Sequence, residues 1–194
     1  MMLRTIALSD NVSYPWFAPA GTRRGIISNA SSVGYVNSQG EYVSVALNQG
    51  QRDTLSQNHV NPITYISGTG LVNYAQYTRQ LTNTALDRIN VARLVVYLRR
   101  QLELIAKGYL FEPNDTITRN EIKNQIESFL LELVGQRALY DYIVVCDTTN
   151  NTPATIDASE LHVDIAIEPV KAVEFIYIPL RIKNTGTIKN LAAK

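Results

Sequence analysis

The clearest pattern of apolar and polar positions lies in the last third of the chain. Tyr140 and residues 142–145 are aromatic or β-branched, and residues 161–167 place an apolar side chain at every second position, as a half-buried strand does. Residues 147–153 between them are turn formers, and this connection is too long for a tight hairpin. The pattern therefore predicts two strands of one sheet, with a short helical turn at residues 157–160 between them.

A helical repeat of apolar residues precedes this strand pair. Residues 91–105 place six apolar side chains on one face, which predicts a helix that ends near Lys107. Asp87 or Asn90 is its candidate N-terminal cap. Its opposite face is charged and is either solvated or a docking surface, with solvent as the default interpretation.

A second amphipathic repeat begins shortly afterwards. Thr118 and Glu121 have the spacing of a capping box, and the apolar stripe continues to about Val134. Gly135 stands where a left-handed C-terminal cap would lie. Together with the strands, the two segments predict an α+β fold in which a mixed sheet carries two long amphipathic helices.

The first half of the chain has weaker patterns. Residues 1–40 are predicted to form a loop-rich lead-in with a polar turn at residues 33–40. Within it, Trp16 and Phe17 either pack at an edge of the core or form a contact surface. Packing is favoured, because bulky aromatic side chains are usually buried. Further elements are predicted by propensity alone. They are strands at 42–47, 63–66 and 71–78, a turn at 68–70 and a helix at 51–59.

The C-terminal region is apolar and extended. Residues 170–183 contain Pro179, which cannot donate a hydrogen bond to a sheet and so confines this segment to an edge or breaks it. Either it is a strand of its own domain, or it adds to the sheet of a neighbouring subunit. We divide the chain into a core domain, residues 1–172, and a C-terminal arm, residues 173–194.

Composition and charge narrow the classes of partner and location that are expected for this chain. The chain has 18 basic and 17 acidic residues, so its charge gives no reason to expect nucleic acid as a partner. No apolar run is long enough to span a membrane and no signal-peptide core begins the chain. Cys146 is the single cysteine, so an internal disulfide is impossible. The cysteine content is therefore compatible with a protein that resides in a reducing compartment.

Candidate catalytic groups are few. Cys146 and His162 could form a nucleophile and base on neighbouring strands, but a cysteine in an apolar strand is more often a buried hydrophobic residue. Asp147, Asp157 and Asp164 lack the spacing of a calcium loop. We therefore predict no enzyme, no catalytic residue, no metal site and no cofactor.

Several blocks, in this order, are similar to the C-terminal part of contractile tail sheath proteins of bacteriophages and phage-tail-like injection particles. The resemblance extends over about residues 9–178. The blocks are Pro15-Trp16-Phe17-Ala18-Pro19-Ala20-Gly21, Arg24-Gly25, Gln51-Arg52-Asp53 with Leu55, Asn61-Pro62-Ile63, Gly68-Thr69-Gly70, Asp87-Arg88-Ile89-Asn90-Val91, Arg93-Leu94, Phe111-Glu112-Pro113-Asn114, Cys146-Asp147, Asn150-Asn151 and Ile156-Asp157.

The sequence also departs from the family. Tyr74-Ala75 stands where an aromatic-glycine pair is common, and Ala92 stands where a second arginine is expected beside Arg93. Sheath proteins are usually longer, with an N-terminal arm and outer domains before this region. The chain therefore resembles a C-terminal fragment or a reduced member of the family.

The resemblance implies a structural role. Sheath subunits form stacked hexameric rings in a helical lattice around a tail tube, and contraction of this lattice drives the tube through the host envelope for genome ejection, without nucleotide or cofactor. The implied partners are further copies of the chain, the tail tube protein, and baseplate and tail terminator proteins, without nucleic acid or membrane insertion. The implied location is the virion tail, which is assembled in the host cytoplasm.

The resemblance also implies two sets of contact residues. In sheath proteins, terminal strands are exchanged between neighbouring subunits. In this sequence the exchanged C-terminal strand corresponds to a set of apolar residues: Val173, Phe175, Ile176, Tyr177, Ile178, Leu180 and Ile182. Charged contacts with the tube are expected on the second helix and just after it: Glu121, Lys123, Glu127, Glu132 and Arg137.

Two alternatives remain at this point. The chain could be another assembly component of the same particle, such as a tube or baseplate protein. It could also be a small hydrolase that uses Cys146 and His162.

Overall fold

A computed structural model describes residues 2–82 and 84–179 of the chain, which combine helices with small sheets. The helices are α1 (Met2–Val12), α2 (Gly21–Arg24), α3 (Gln49–Gln57), α4 (Ile89–Lys107), α5 (Thr116–Gly135) and α6 (Pro153–Asp157), with a 3-10 turn at Ala85–Asp87 before α4. The strands are β1 (Gly34–Val36), β2 (Tyr42–Ser44), β3 (Ile63–Ile66), β4 (Gly70–Asn73), β5 (Leu139–Val145) and β6 (Asp164–Pro169).

The prediction of a single mixed sheet was wrong. The described residues form three separate two-stranded antiparallel sheets, β1 with β2, β3 with β4, and β5 with β6. The first two pairs are joined by short connections, so each closes locally as a hairpin. The predicted turn at residues 68–70 joins β3 to β4, and Gly68 and Gly70 both have positive φ there.

The predicted C-terminal strand pair is present with shifted bounds. β5 agrees with the prediction, whereas β6 begins at Asp164 rather than at residue 161. The side chain of Asn151 hydrogen-bonds both the backbone N–H and the carbonyl of His162, at 2.8 and 2.9 Å. Because these backbone groups are already satisfied, the strand pairing starts beyond them. The helical turn predicted at residues 157–160 lies earlier, in α6.

The lead-in region contains more regular structure than predicted. α1 occupies part of the predicted loop, and β1 lies within the predicted turn at residues 33–40. The strands predicted at 42–47 and 71–78 are shorter, as β2 and β4. The helix predicted at 51–59 is present as α3, two residues earlier, and Asn48 and Gln51 form a capping box at its start.

The two long helices have different capping residues from those predicted, although α4 ends at Lys107 as predicted. Neither Asp87 nor Asn90 caps α4, whose N-cap is Arg88 without a side-chain hydrogen bond. The Asp115 carboxylate accepts from the backbone N–H of Thr118 at 2.9 Å and caps α5, so the predicted Thr118 capping box was wrong. The left-handed residue after α5 is Arg137, with φ of 63°, rather than Gly135.

The main core lies where α5 contacts β5 on one side and α4 on the other. Leu94 and Leu98 from α4 meet Leu130 and Leu133 from α5, and Cys146 completes the cluster beside the sheet. Burial of these side chains supplies the driving force for folding this half of the chain.

Trp16 joins the N-terminal segment to this core. Its indole N–H donates to the carbonyl of Gln136 at 3.1 Å, and its ring lies between the rings of Tyr14 and Tyr97, with centroid distances of 4.7 and 5.5 Å. Phe17 packs at the edge of the same cluster. The interpretation of Trp16 and Phe17 as packing residues is therefore confirmed.

Neighbouring leucines on α5 give a direct test of this core. Leu130 is completely buried, whereas Leu131 is 62% exposed. Leu130→Ala should lower the free energy of unfolding by about 2–5 kcal/mol, because a buried leucine loses its contacts and leaves a cavity. Leu131→Ala should change the free energy of unfolding by less than about 0.5 kcal/mol. Urea titrations followed by circular dichroism would measure both variants, and equal losses would contradict this placement of the core.

Candidate assembly site

The described part of the C-terminal arm, residues 173–179, leaves the domain with its apolar side chains exposed. Residues 170–179 contain no helix or strand, so the described part of the arm is not a strand of its own domain. Leu180 and Ile182 lie outside the described residues. The five other predicted exchange residues are 72–88% exposed: Val173, Phe175, Ile176, Tyr177 and Ile178.

The base of the arm is held by backbone hydrogen bonds. The N–H of Val170 donates to the carbonyl of Ala138 at 3.0 Å, which extends the pairing of β5 and β6. The buried amide of Asn90 donates to the carbonyls of Trp16 and Val170, at 3.4 and 3.5 Å. Asn90 therefore joins the N-terminal segment, the start of α4 and the base of the arm.

A second attachment lies four residues further along the arm. Arg88 donates from Nε and Nη2 to the two carboxylate oxygens of Glu174, at 2.6 and 2.9 Å. The guanidinium also lies 3.0 Å from Asp87 and 4.2 Å from the ring centroid of Tyr77. The hydrogen bonds to Glu174 raise the pKa of Arg88 above its usual value. We call the bidentate pair of Arg88 and Glu174 the arm clasp.

The sequence contained only a weak signal for the arm clasp. Arg88 belongs to the Asp87-Arg88-Ile89-Asn90-Val91 block, and Glu174 interrupts an otherwise apolar run. The two residues are 86 positions apart, so no local periodicity could pair them. The arm clasp places the boundary between the anchored and the free arm at Glu174.

The sheet of β5 and β6 has two open edges. Each strand pairs only with the other among the described residues, and the inner face of the sheet packs on the main core. Two-stranded sheets are marginally stable alone, and open edges accept further strands. This sheet has the longest strands of the three described.

The predicted tube-contact residues do not form one patch. Since a helix turns about 100° per residue, Glu121 and Glu132 lie together along one side of α5. Lys123 and Glu127 form an ion pair at 3.9 Å on the other side, roughly 150° away by the same spacing. Arg137 is exposed and follows the helix.

The structure does not assemble a nucleophile and base from Cys146 and His162. Cys146 is buried, and desolvation raises the pKa of its thiol. The ring of His162 contacts Glu160 at 3.0 Å, and no hydrogen bond between His162 and Cys146 occurs in the described part of the chain. In residues 2–82 and 84–179, no group of three or more potential ligand side chains could hold a metal ion. No helix among these residues is long and apolar enough to cross a membrane.

Comparison with known sequences identifies the relatives of this domain. A family model of the phage tail sheath C-terminal domain matches residues 82–183, just over half the chain. The chain is 37% identical over 170 residues to the tail sheath protein of Vibrio phage KVP40, which covers 88% of this chain and 24% of that protein. It is 35% identical over 180 residues to the tail sheath protein of Enterobacteria phage T4, with coverage of 93% and 26%. The chain thus spans about a quarter of the length of these relatives.

Solved structures share the fold. A chain in the six-fold symmetrised baseplate of the anti-feeding prophage superposes with a TM-score of 0.77 at 23% identity, over 93% of this chain and 48% of that chain. A chain in the contracted sheath complex of an extracellular contractile injection system gives a TM-score of 0.76 at 21% identity, over 94% and 50%. At these identities the likeness concerns the fold.

The arm clasp can be tested by proteolysis. Lys171 is an exposed trypsin site between the two attachments of the arm. Glu174→Ala should speed cleavage after Lys171 about fivefold if the bidentate pair contributes about 1 kcal/mol, because cleavage follows the population of the open arm. Mass spectrometry of timed digests would identify the product that ends at Lys171.

Glu168→Ala is the matched control, because it removes an exposed glutamate from β6 that forms no ion pair among the described residues. Equal cleavage rates in the two variants would contradict a restraining role for the arm clasp.

Proposed function

Because the chain belongs to the phage tail sheath family, we propose that it is a contractile tail sheath subunit whose C-terminal arm adds a strand to a neighbouring copy. The family consists of structural proteins rather than enzymes, so the hydrolase alternative is rejected. The family match also favours a sheath subunit over a tube protein. The proposal covers the whole assembly, although the chain spans only part of its relatives.

The exposed arm is the observation that carries this proposal. Five apolar side chains between residues 173 and 178 face solvent directly after an anchored base. Exposing so much apolar surface is unfavourable in a monomer, and apolar segments of this kind mark interaction sites. Strand addition to the β5–β6 sheet of another copy would satisfy the backbone of the arm and bury alternate side chains.

In the assembly, subunits form stacked hexameric rings in a helical lattice around a tail tube. The extended lattice stores the energy, and its contraction drives the tube through the host envelope. The solved relatives support this picture, since one is described in a six-fold symmetrised baseplate and another in a contracted sheath. Arms that stay paired through contraction would keep neighbouring subunits connected while the domains rearrange.

The further partners are the tail tube, the baseplate and the tail terminator, and the location is the virion tail, with assembly in the host cytoplasm. The two charged sides of α5 constrain the tube contact. Glu121 with Glu132 and Lys123 with Glu127 point in different directions, so only one pair can face the tube. A contact through one charged side is modest, because exposed ion pairs contribute little, and this suits a sheath that must slide during contraction.

Strand addition can be measured without forming the whole lattice. A fluorescent peptide of residues 173–183 should bind the chain shortened after Glu174, because that chain keeps the arm clasp and both open sheet edges but lacks the free arm. Fluorescence anisotropy would give the affinity. Electron microscopy of the full chain should show ordered assemblies that the shortened chain does not form.

The control peptide carries Ile176→Pro, which removes one backbone donor and should bind much more weakly. Equal binding of the two peptides would show that the contact is not a backbone ladder. Absence of binding, together with monomers of the full chain, would reject the proposed strand exchange.

A further inference from the structure

The backbone conformation of Phe111 and the solvent exposure of its side chain are both unfavourable. Its φ of 72° lies in the left-handed region, which bulky residues rarely adopt and which costs about 1–2 kcal/mol. Its side chain is fully exposed, and the neighbouring Leu110 is also exposed. No contact among residues 2–82 and 84–179 compensates for either cost, so a role outside the single chain is indicated.

The connection between α4 and α5 holds Phe111 in place. The Tyr109 hydroxyl donates to Oε1 of Gln125 at 2.7 Å on one side of Phe111. The Asn114 amide donates to the carbonyl of Glu160 at 2.9 Å on the other side. Phe111 is therefore presented to solvent on a braced loop rather than on a free end.

An apolar groove lies on the outward side of α4. It has a volume of about 390 Å³ and is lined by Pro15, Ile89, Ala92, Val96 and Tyr97, with arginines at its border. Val96 points away from the main core and is exposed. The volume is sufficient for one aromatic side chain together with an adjacent aliphatic one.

Phe111 cannot fill the groove of its own chain. Val96 lies eleven residues before the end of α4, which corresponds to about 16 Å along the helix axis. The bracing hydrogen bonds of Tyr109 and Asn114 keep the loop at the far end of this helix. Phe111 can therefore reach such a groove only on a second copy of the chain.

Charge complementarity identifies that second molecule. Glu112 follows Phe111 and is exposed, and Arg100 at the border of the groove is also exposed. Neither forms an ion pair within the described part of the chain. Arg93, the other bordering arginine, is already paired with Asp10. An aromatic residue followed by a carboxylate matches an apolar groove bordered by one free arginine.

We infer that Phe111 of one copy docks in the α4 groove of a second copy, with Glu112 paired to Arg100. The inference rests on the proposed self-assembly and adds a contact that is separate from the arm. Because Phe111 and the groove are different surfaces, the contact is head-to-tail, and such contacts propagate into rings or helical filaments.

Phe111→Gly should change stability and association in different directions. Glycine tolerates positive φ and the phenyl ring has no intramolecular packing to lose, so the melting temperature should not fall. Association between copies, measured by sedimentation velocity, should decrease. A lower melting temperature would mean that Phe111 packs within its own domain, which would overturn the inference.

Photo-cross-linking of the full chain at high concentration would identify the partner surface. With p-benzoyl-phenylalanine at position 111, mixed with a ¹⁵N-labelled copy, cross-links should join position 111 to residues 89–100 of the other isotopic form. The same group at Tyr35, which is also exposed, is the control and should not label α4. Cross-links only to other surfaces, or none between copies, would overturn the inference.

A charge exchange tests the ion pair. Glu112→Arg and Arg100→Glu should each reduce the yield of this cross-link, and the double variant should restore it. A double variant that cross-links no better than either single variant would overturn the pairing.

This design separates the two proposals. Cross-linking needs only two copies, so a specific cross-link without ordered assemblies would support the groove contact while the sheath proposal fails. Ordered assemblies without this cross-link would overturn the groove contact and leave the sheath proposal intact.

Discussion

The burial of Trp16 between the N-terminal segment and the two long helices is the constraint on which the remaining structure depends. Its indole N–H bonds the carbonyl of Gln136 just after α5, and its own carbonyl accepts from Asn90 at the start of α4. Asn90 also bonds Val170 at the base of the arm. The direction in which the arm leaves is therefore set by the same junction that holds the two helices together. A buried amide that donates to two carbonyls restrains geometry, because an arrangement that removes these carbonyls leaves the amide donor unsatisfied.

If the arm connects subunits as proposed, this coupling matters mechanically, because the arm would then transmit force to its domain. The arm is attached twice, first by the backbone at Val170 and then by the arm clasp at Glu174. A bidentate arginine–carboxylate pair restrains orientation as well as distance. Tension on the free arm would thus reach the start of α4 through Arg88 and the main core through Asn90. Changes in domain orientation would then be absorbed beyond Glu174, where no described hydrogen bond holds the chain.

The features that could be predicted from the sequence are those with a local signal. α4 and α5 bury side chains at helical spacing, so their existence follows from the apolar pattern, and β5 follows from its aromatic and β-branched residues. Their ends depend on competition between neighbouring polar side chains, and Asp115 caps α5 in place of the predicted Thr118 for this reason. Three other features depend on residues that only the fold brings together. They are the separation into three sheets, the hydrogen bonds by which the Asn151 side chain takes the place of a strand partner for His162, and the arm clasp. The left-handed backbone of Phe111 likewise has no sequence signal, since glycine or asparagine would be expected there.

The distribution of exposed apolar residues also bears on specificity. With a net charge of only +1, long-range repulsion does little to keep copies apart, so exposed apolar surface on this chain favours association. Apolar burial alone would not select one arrangement. In the proposed strand addition of the arm, a backbone ladder would fix the register, since a slip of one residue would turn Phe175 and Tyr177 to the opposite face. At the groove, the pairing of a carboxylate with Arg100 would select orientation. Apolar burial would then supply affinity at both surfaces, and directional polar contacts would decide which copies meet and how.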